Sequence, residues 1–154
     1  MSGLSRWAPQ TWVFLHTFAA KVNKNFFEAN REQCLSIIKM TCHCLPCPEC
    51  TRHAAHYLAR VNGNTVKTKE AFISMLLDFH NSVNGRIGKQ PFPRESVIQY
   101  NRYRFDISLV NFIAGYSAKY GSIMSGRIST LGKRKSIAKS INSWLKTHWR
   151  HFQN

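Results

Sequence analysis

"CHCLPCPECTRHAAHYL", Cys42 to Leu58, holds four of the chain's five cysteines within nine residues and follows them with His53 and His56. Pro46 and Pro48 restrict the backbone on either side of Cys47, and a helix is expected from about there to Arg60. Cys47-Pro48-Glu49-Cys50 thus places two cysteines, two residues apart, at a helix start. Such a pair closes a small disulfide ring, and the helix N-terminus favours thiolate, lowering a free cysteine pKa of about 8.5. The same spacing is half of many zinc sites, and Cys42, Cys44, His43, His53 and His56 would add ligands. Structural zinc usually ties two separated knuckles together, whereas no second pair follows here. Cys44-Leu45-Pro46-Cys47 is itself a competing CxxC. A thioredoxin-like reading needs a strand before the motif, and the preceding segment reads as helix. Spacing alone leaves metal binding, a locked loop and electron transfer open.

Outward from this stretch the chain reads as nearly all helix. Pro9 is placed to start the first helix, with Trp12, Leu15, His16 and Ala19 on one face. A second helix is expected over Glu28 to about Thr41, with Leu35, Ile38 and Cys42 inward, and Cys34 reads as a small buried residue. "NGNTVKT" is a turn, and Thr68 N-caps a fourth helix with Glu70 in its first turn. Phe72, Met75, Leu76, Phe79 and Val83 form that helix's apolar stripe, and "NGRIGKQPFP" ends it. Ser96 to about Tyr120 reads as one or two helices and "YGSIMSGRISTLG" as a linker. From Lys133 a last amphipathic helix puts Ile137, Ile141, Trp144 and Leu145 on one side.

The 154 residues, 44% hydrophobic and 12% aromatic, suffice for a buried core. No run of about twenty apolar residues occurs, and the opening "MSGLSRWAPQTW" lacks a signal-peptide core, so a cytosolic protein is expected. In that setting, clustered cysteines more often mean metal or redox chemistry than structural disulfides. The net charge is +15, and all seven acidic residues lie at or before Asp106. Such a basic end favours an anionic partner or serves as a solvated face. Trp144 and Trp149 among its cations suit a membrane interface, or stacking on nucleic-acid bases beside backbone contacts.

Thirty residues beyond Cys50 stands "HNSVNGRIGK", His80 to Lys89. His80 and Asn84 lie one helical turn apart with Asn81 beside them, and Trp12 and His16 make a similar pair on the first helix. A dinucleotide needs this mixture: flat rings, amides for ring edges, and cations such as Arg86 and Lys89 for a pyrophosphate. No GxGxxG occurs, so a dinucleotide would lie between helices and not in a Rossmann crevice.

Trp12-x-x-x-His16, Pro46-Cys47-x-x-Cys50 and His80-Asn81-x-Val83-Asn84, followed by Gly88-Lys89, resemble the Erv/ALR family of FAD-dependent sulfhydryl oxidases. Order and spacing agree from about Trp7 to Phe92, and "RWAPQTW" and "LPCPEC" look most similar to members encoded by large DNA viruses. The resemblance implies an all-α fold, a four-helix bundle plus a short fifth helix, over residues 1–95, with 96–154 a basic helical extension. It implies oxidation of protein dithiols, with electrons passing to FAD and then to oxygen to give hydrogen peroxide. Carried over, Cys47 exchanges with substrate and Cys50 faces the flavin as its charge-transfer thiolate. Trp12, His16, His53, His80, Asn81, Val83, Asn84, Arg86 and Lys89 surround the cofactor, and no metal is called for.

Implied partners are dithiol proteins, among them a viral thiol–disulfide carrier, with oxygen and a second copy in a homodimer. The implied setting is virion maturation in host cytoplasm or viral factory, the protein itself packaged in the virion, with the basic end touching virion components, nucleic acid or a membrane surface. Two departures stand out. The further disulfide of many cellular members has no counterpart near Leu77 and Phe92, and no cysteine follows Cys50. Either substrate meets Cys47 directly or Cys42 and Cys44 act as a relay. The rivals are a zinc-stabilised basic nucleic-acid-binding protein and an inactive capsid or assembly component.

Overall fold

The computed structural model describes residues 4–120 and 130–153. In chain order, the helices are α1 (Leu4–Lys21), α2 (Lys24–Ala29), α3 (Arg31–His43), α4 (Pro48–Leu58) and α5 (Lys69–Arg86). A 3-10 segment, Arg94–Arg102, leads to α6 (Phe105–Tyr116). Beyond it come α7 (Leu131–His148) and a closing 3-10 turn, Trp149–His151. The architecture is all-α, as expected, and among the described residues extended pairing is limited to an isolated bridge between Val22 and Phe152.

Two helix boundaries differ from expectation for tertiary reasons. The first helix begins at Leu4, with Pro9 inside it. Proline removes one helical hydrogen bond there, but Trp7 is buried and holds the extra turn against the core. α6 lies so close that a Cβ on Gly115 would sit 3.3 Å from the Arg6 carbonyl oxygen and 3.4 Å from Trp7 Cα. The second expected helix is broken at Asn30, whose side-chain amide donates to the Phe26 carbonyl (2.9 Å) as α2 ends and α3 begins. Asn23 caps α2 by accepting from the Phe26 amide (3.0 Å), and Thr68 caps α5 by accepting from Ala71 (3.0 Å), as the sequence suggests.

The core is a run of fully buried phenylalanines. Phe14 stacks on Phe112 (4.2 Å between centroids, 8°) and Phe27 on Phe72 (4.6 Å, 4°), with Phe18 and Phe105 between them. Each such ring contributes about 1.5–3 kcal/mol by leaving water. Cys34 is buried here as expected.

Residues beyond 95 belong to the same core. Phe105, Phe112, Tyr116, Ile141 and Leu145 are all fully buried within it. The Tyr116 hydroxyl donates to the Cys44 carbonyl (2.6 Å), with the Thr41 carbonyl 3.1 Å away, and so satisfies orphan groups at the end of α3. Arg134, on α7, donates to the carbonyls of Tyr116 and Ala118 and to Thr130 Oγ1, closing the end of α6. α7 starts two residues before Lys133 and buries Ile137, Ile141 and Leu145 on one side, with Trp144 half-buried beside Phe18. Most of the expected linker, positions 121–129, lies outside the described residues.

Candidate redox site

Pro48 supplies the fixed φ that suits a first helical position, and Cys47 becomes the N-cap of α4. The Cys47 sulfur accepts from the Cys50 amide (3.2 Å), and Glu49 adds a negative charge at the positive end of the helix dipole. Cys47 and Cys50 form a disulfide, their Cα atoms 5.2 Å apart. Thr51 fastens the approach loop: its Oγ1 accepts from the Leu45 amide (3.0 Å) and donates to the Cys47 carbonyl (3.2 Å).

The other three sulfurs are buried and free. Burial pushes the Cys34 and Cys42 thiols up to about 12, which suppresses their thiolates near neutral pH. Cys47 and Cys50 are half-buried, so of the five cysteines these two offer sulfur at the surface. Among the described residues, no group of three His, Cys, Asp or Glu side chains is placed to hold a metal ion.

From Cys50 a face of α4 runs through His53 to Tyr57, at i, i+3 and i+7. His53 meets Ser82 on α5 (Nε2 to Oγ, 3.3 Å), and Tyr57 stacks on Phe79 (4.9 Å, 24°). Trp12 of α1 also meets Phe79, edge-on (5.2 Å), and is stacked flat on His80 (4.0 Å, 7°). Three helices are thus linked at this place: His53 and Tyr57 of α4 meet Ser82 and Phe79 of α5, and Trp12 of α1 meets Phe79 and His80.

Beneath it, His16 Nε2 and His80 Nδ1 are 2.9 Å apart and share a proton. His16 is buried and covered by Tyr100 (4.7 Å, 13°). Desolvation, with His80 second, lowers the His16 pKa to about 3; desolvation and then Lys89 lower that of His80 to about 4. Both imidazoles are therefore neutral near pH 7. Desolvation, Arg86 and His56 also lower the His53 pKa.

The expected site residues come together, with different exposures. Trp12, His53, His80, Asn81 and Val83 are half-buried, Arg86 and Lys89 are exposed, and His16 and Asn84 are buried. The Asn81 amide grips the chain after α5: its oxygen accepts from the Phe92 amide (2.7 Å) and its nitrogen donates to the Phe92 carbonyl (3.1 Å). Asn84 Nδ2 donates to that same Asn81 oxygen (3.2 Å). α5 ends in a Schellman motif in which Lys89 N–H bonds the Asn84 carbonyl (2.9 Å) and Gly88 N–H the Gly85 carbonyl (3.4 Å). Gly88 has φ +73°, which glycine adopts without strain, and the turn brings Lys89 back over the helix end.

This donor set fits FAD. A flavin needs a flat, mainly apolar surface beside a sulfur; the Trp12–His80 stack and Tyr57, joined through Phe79, are the side chains that could form it, with Cys50 on the Tyr57 face of α4. A pyrophosphate needs cations, and the exposed Arg86 and Lys89 at the end of α5 could supply them. A separate cleft of about 160 Å³ between α3 and α4, lined by Lys39, Cys42, His43 and Ala55 among others, uses the opposite side of α4 and is too small for a dinucleotide.

Tyr57, Phe79, Phe92 and Tyr100 were not among the expected site residues. Tyr57 was within reach, since it continues the i, i+3, i+7 face from Cys50. Tyr100 lies 84 residues from His16 in sequence and carries no local signal of that contact.

Residues 9–104, more than half of the chain, match the model of the Erv1 / Alr family. Protein 347L of Invertebrate iridescent virus 6 is 32% identical over 105 residues, which cover 64% of this chain and 93% of the viral one. The Arabidopsis thaliana FAD-linked sulfhydryl oxidase ERV1 is 33% identical over 87 residues, 56% of this chain and 45% of the plant protein. A FAD-linked sulfhydryl oxidase of African swine fever virus, from a tick isolate, is 28% identical over 109 residues, 70% and 86% of the two chains. No solved structure matches.

Proposed function

The chain belongs to the Erv1/Alr family, and from that premise we propose that it is an FAD-linked sulfhydryl oxidase working through the Cys47–Cys50 disulfide. The observation that carries this reading is the placement of that disulfide. It caps α4 at the head of the Cys50, His53, Tyr57 face, and that face is joined to the Trp12–His80 stack. The zinc-bound rival would require the same two sulfurs as metal ligands.

A substrate thiolate attacks Cys47, breaking the Cys47–Cys50 bond and leaving Cys50 as thiolate. The helix N-terminus stabilises that leaving group, which Cys50, in the first turn of α4, is placed to use. A second substrate thiolate then attacks the substrate sulfur of the mixed disulfide and releases Cys47. The substrate has lost two electrons and two protons, and the protein pair has gained the two electrons. FAD, when bound, supplies the two-electron acceptor that restores the disulfide and passes the electrons to oxygen, giving hydrogen peroxide.

Around these steps the chain's own groups have separable tasks. Trp12, His80 and Val83 form the apolar wall, with His53 and the buried His16 behind or beside it. Two neutral imidazoles sharing one proton place no positive charge against the ring. Arg86 and Lys89 neutralise the pyrophosphate, while Asn81 and Asn84 hold the loop that carries Lys89. Substrate reaches Cys47 directly; a relay through Cys42 or Cys44 would require those buried thiols to leave the core. The finer setting follows the viral relatives: a homodimer acting on proteins of virus assembly, including a dithiol carrier, in host cytoplasm or within the virion. Residues 1–95 carry the chemistry, and the described residues beyond them complete the core.

The test is a visible absorption spectrum of the purified protein with zinc assayed on the same sample. The expected result is a flavin spectrum bleached by dithiol under nitrogen and restored by air, and its retention without turnover in Cys50→Ser. A colourless protein with stoichiometric zinc, or full activity in Cys50→Ser, would overturn the reading.

A further inference from the structure

The outer face of α7 takes no part in the redox site. The helix buries Arg134, Ile137, Ala138, Ile141 and Leu145 on its inner side. Lys135, Lys139 and Lys146 are exposed, and at 3.6 residues per turn they fall within about 40° of one another around the axis. Exposed Arg150 follows on the closing turn, and exposed Ser143 lies nearest the row on its outer side. No acidic residue follows Asp106, so nothing on this helix or its closing turn offsets the charge. The ion pairs formed among the described residues join Lys24 to Glu28 and Glu70, Arg94 to Asp78, and Arg104 to Asp106, all on other elements.

We infer that this face is a binding strip for the phosphate backbone of double-stranded nucleic acid, independent of base sequence. Lys, Arg, Ser and Thr are the side chains that contact phosphates. From Lys135 to Lys146 the helix rises about 16 Å, long enough to lie along several phosphates of a duplex backbone.

The aromatic residues decide between anionic partners. The tryptophans expected to stack on bases or enter a membrane are half-buried and packed on core rings: Trp144 lies against Phe18 (6.1 Å, 21°) and Trp149 on Phe105 (5.3 Å, 4°). The row of Lys135, Lys139, Lys146 and Arg150 itself carries no aromatic side chain for unpaired bases. It also has no apolar edge to sit in a bilayer, because the apolar side of α7 is occupied by the protein's own core. What remains is a row of cations and hydroxyls, complementary to a duplex backbone.

Fluorescence anisotropy of a labelled mixed-sequence DNA duplex, titrated with the full-length protein over a range of salt, tests this. Four phosphate contacts predict a log–log salt slope of about −3.6. The triple variant K135Q/K139Q/K146Q is expected to make that slope shallower by about 2.7 and to weaken low-salt binding at least tenfold. The loss should be equal for unrelated duplex sequences, with dithiol oxidation unchanged. The arginine counterpart, K135R/K139R/K146R, retains binding and so separates charge from folding. The inference is overturned if the glutamine variant binds duplex like the parent. It is also overturned if a single strand, phosphatidylcholine–phosphatidylserine vesicles or polyglutamate is bound more tightly than duplex at the same salt.

Discussion

Acidification is expected to weaken the fold through His16, by an amount the structure lets one work out. The imidazole is buried between His80 and Tyr100, and its pKa falls from 6.5 to about 3, chiefly through desolvation. Because the folded value is the lower one, the unfolded chain takes up the proton first. Stability is therefore fully present above pH 6.5, falls as pH drops, and stops falling near pH 3, where the folded imidazole also protonates. From pH 7 to pH 5 this one group accounts for about 2 kcal/mol, most of it lost between pH 6 and 5. His80, lowered to about 4, acts in the same direction but by less, since its open edge is screened by solvent. Urea unfolding at pH 7, 6 and 5, at matched flavin occupancy, measures the slope in the native protein and in His16→Leu. The variant is expected to be shallower by about one bound proton. Parallel pH profiles, or a His16 resonance titrating near its ordinary value, would refute the reasoning.

Gly88→Ala forces a side chain into the left-handed region at φ +73°, so a loss of about 1–2 kcal/mol in thermal or urea unfolding is expected, with weaker FAD binding as Lys89 shifts. Phe112→Ala removes the ring stacked on Phe14 and is expected to cost about 3–5 kcal/mol in chemical unfolding; a loss near zero would mean that α6 is separable from the bundle. Thr51→Ala leaves the Leu45 amide without its acceptor and releases the Cys47 carbonyl. Stopped-flow mixing with a small dithiol should then show slower exchange at Cys47, with flavin content unchanged.

Much of the site is readable because its signals are local. Pro48 after Cys47, Glu49 in the first turn, and a second cysteine at the third helical position specify a capped helix start within four residues. Thr68 capping Ala71 is equally local. The spacing of Trp12 and His16 on α1, and of His80 and Asn84 on α5, says which side chains share a face.

What those faces meet is a different matter. The break at Asn30 and the extra turns before Pro9 escape a periodicity argument, because one depends on a side chain bonding back to Phe26 and the other on Trp7 finding the core. The burial of Cys42 and Cys44 depends likewise on α3 packing and on the Tyr116 hydroxyl arriving from α6.

Alone, then, the sequence determines the all-helical character, the redox pair at the head of one helix, and the family, since each rests on spacings of a few residues and on side-chain chemistry. Tertiary structure decides which sulfurs stay at the surface, that His16 and His80 share a proton, that Asn81 holds the Phe92 loop, and that Trp144 and Trp149 pack on Phe18 and Phe105. Those outcomes follow from desolvation and from contacts between segments far apart in the chain, which exist only once the phenylalanine core has brought the helices together.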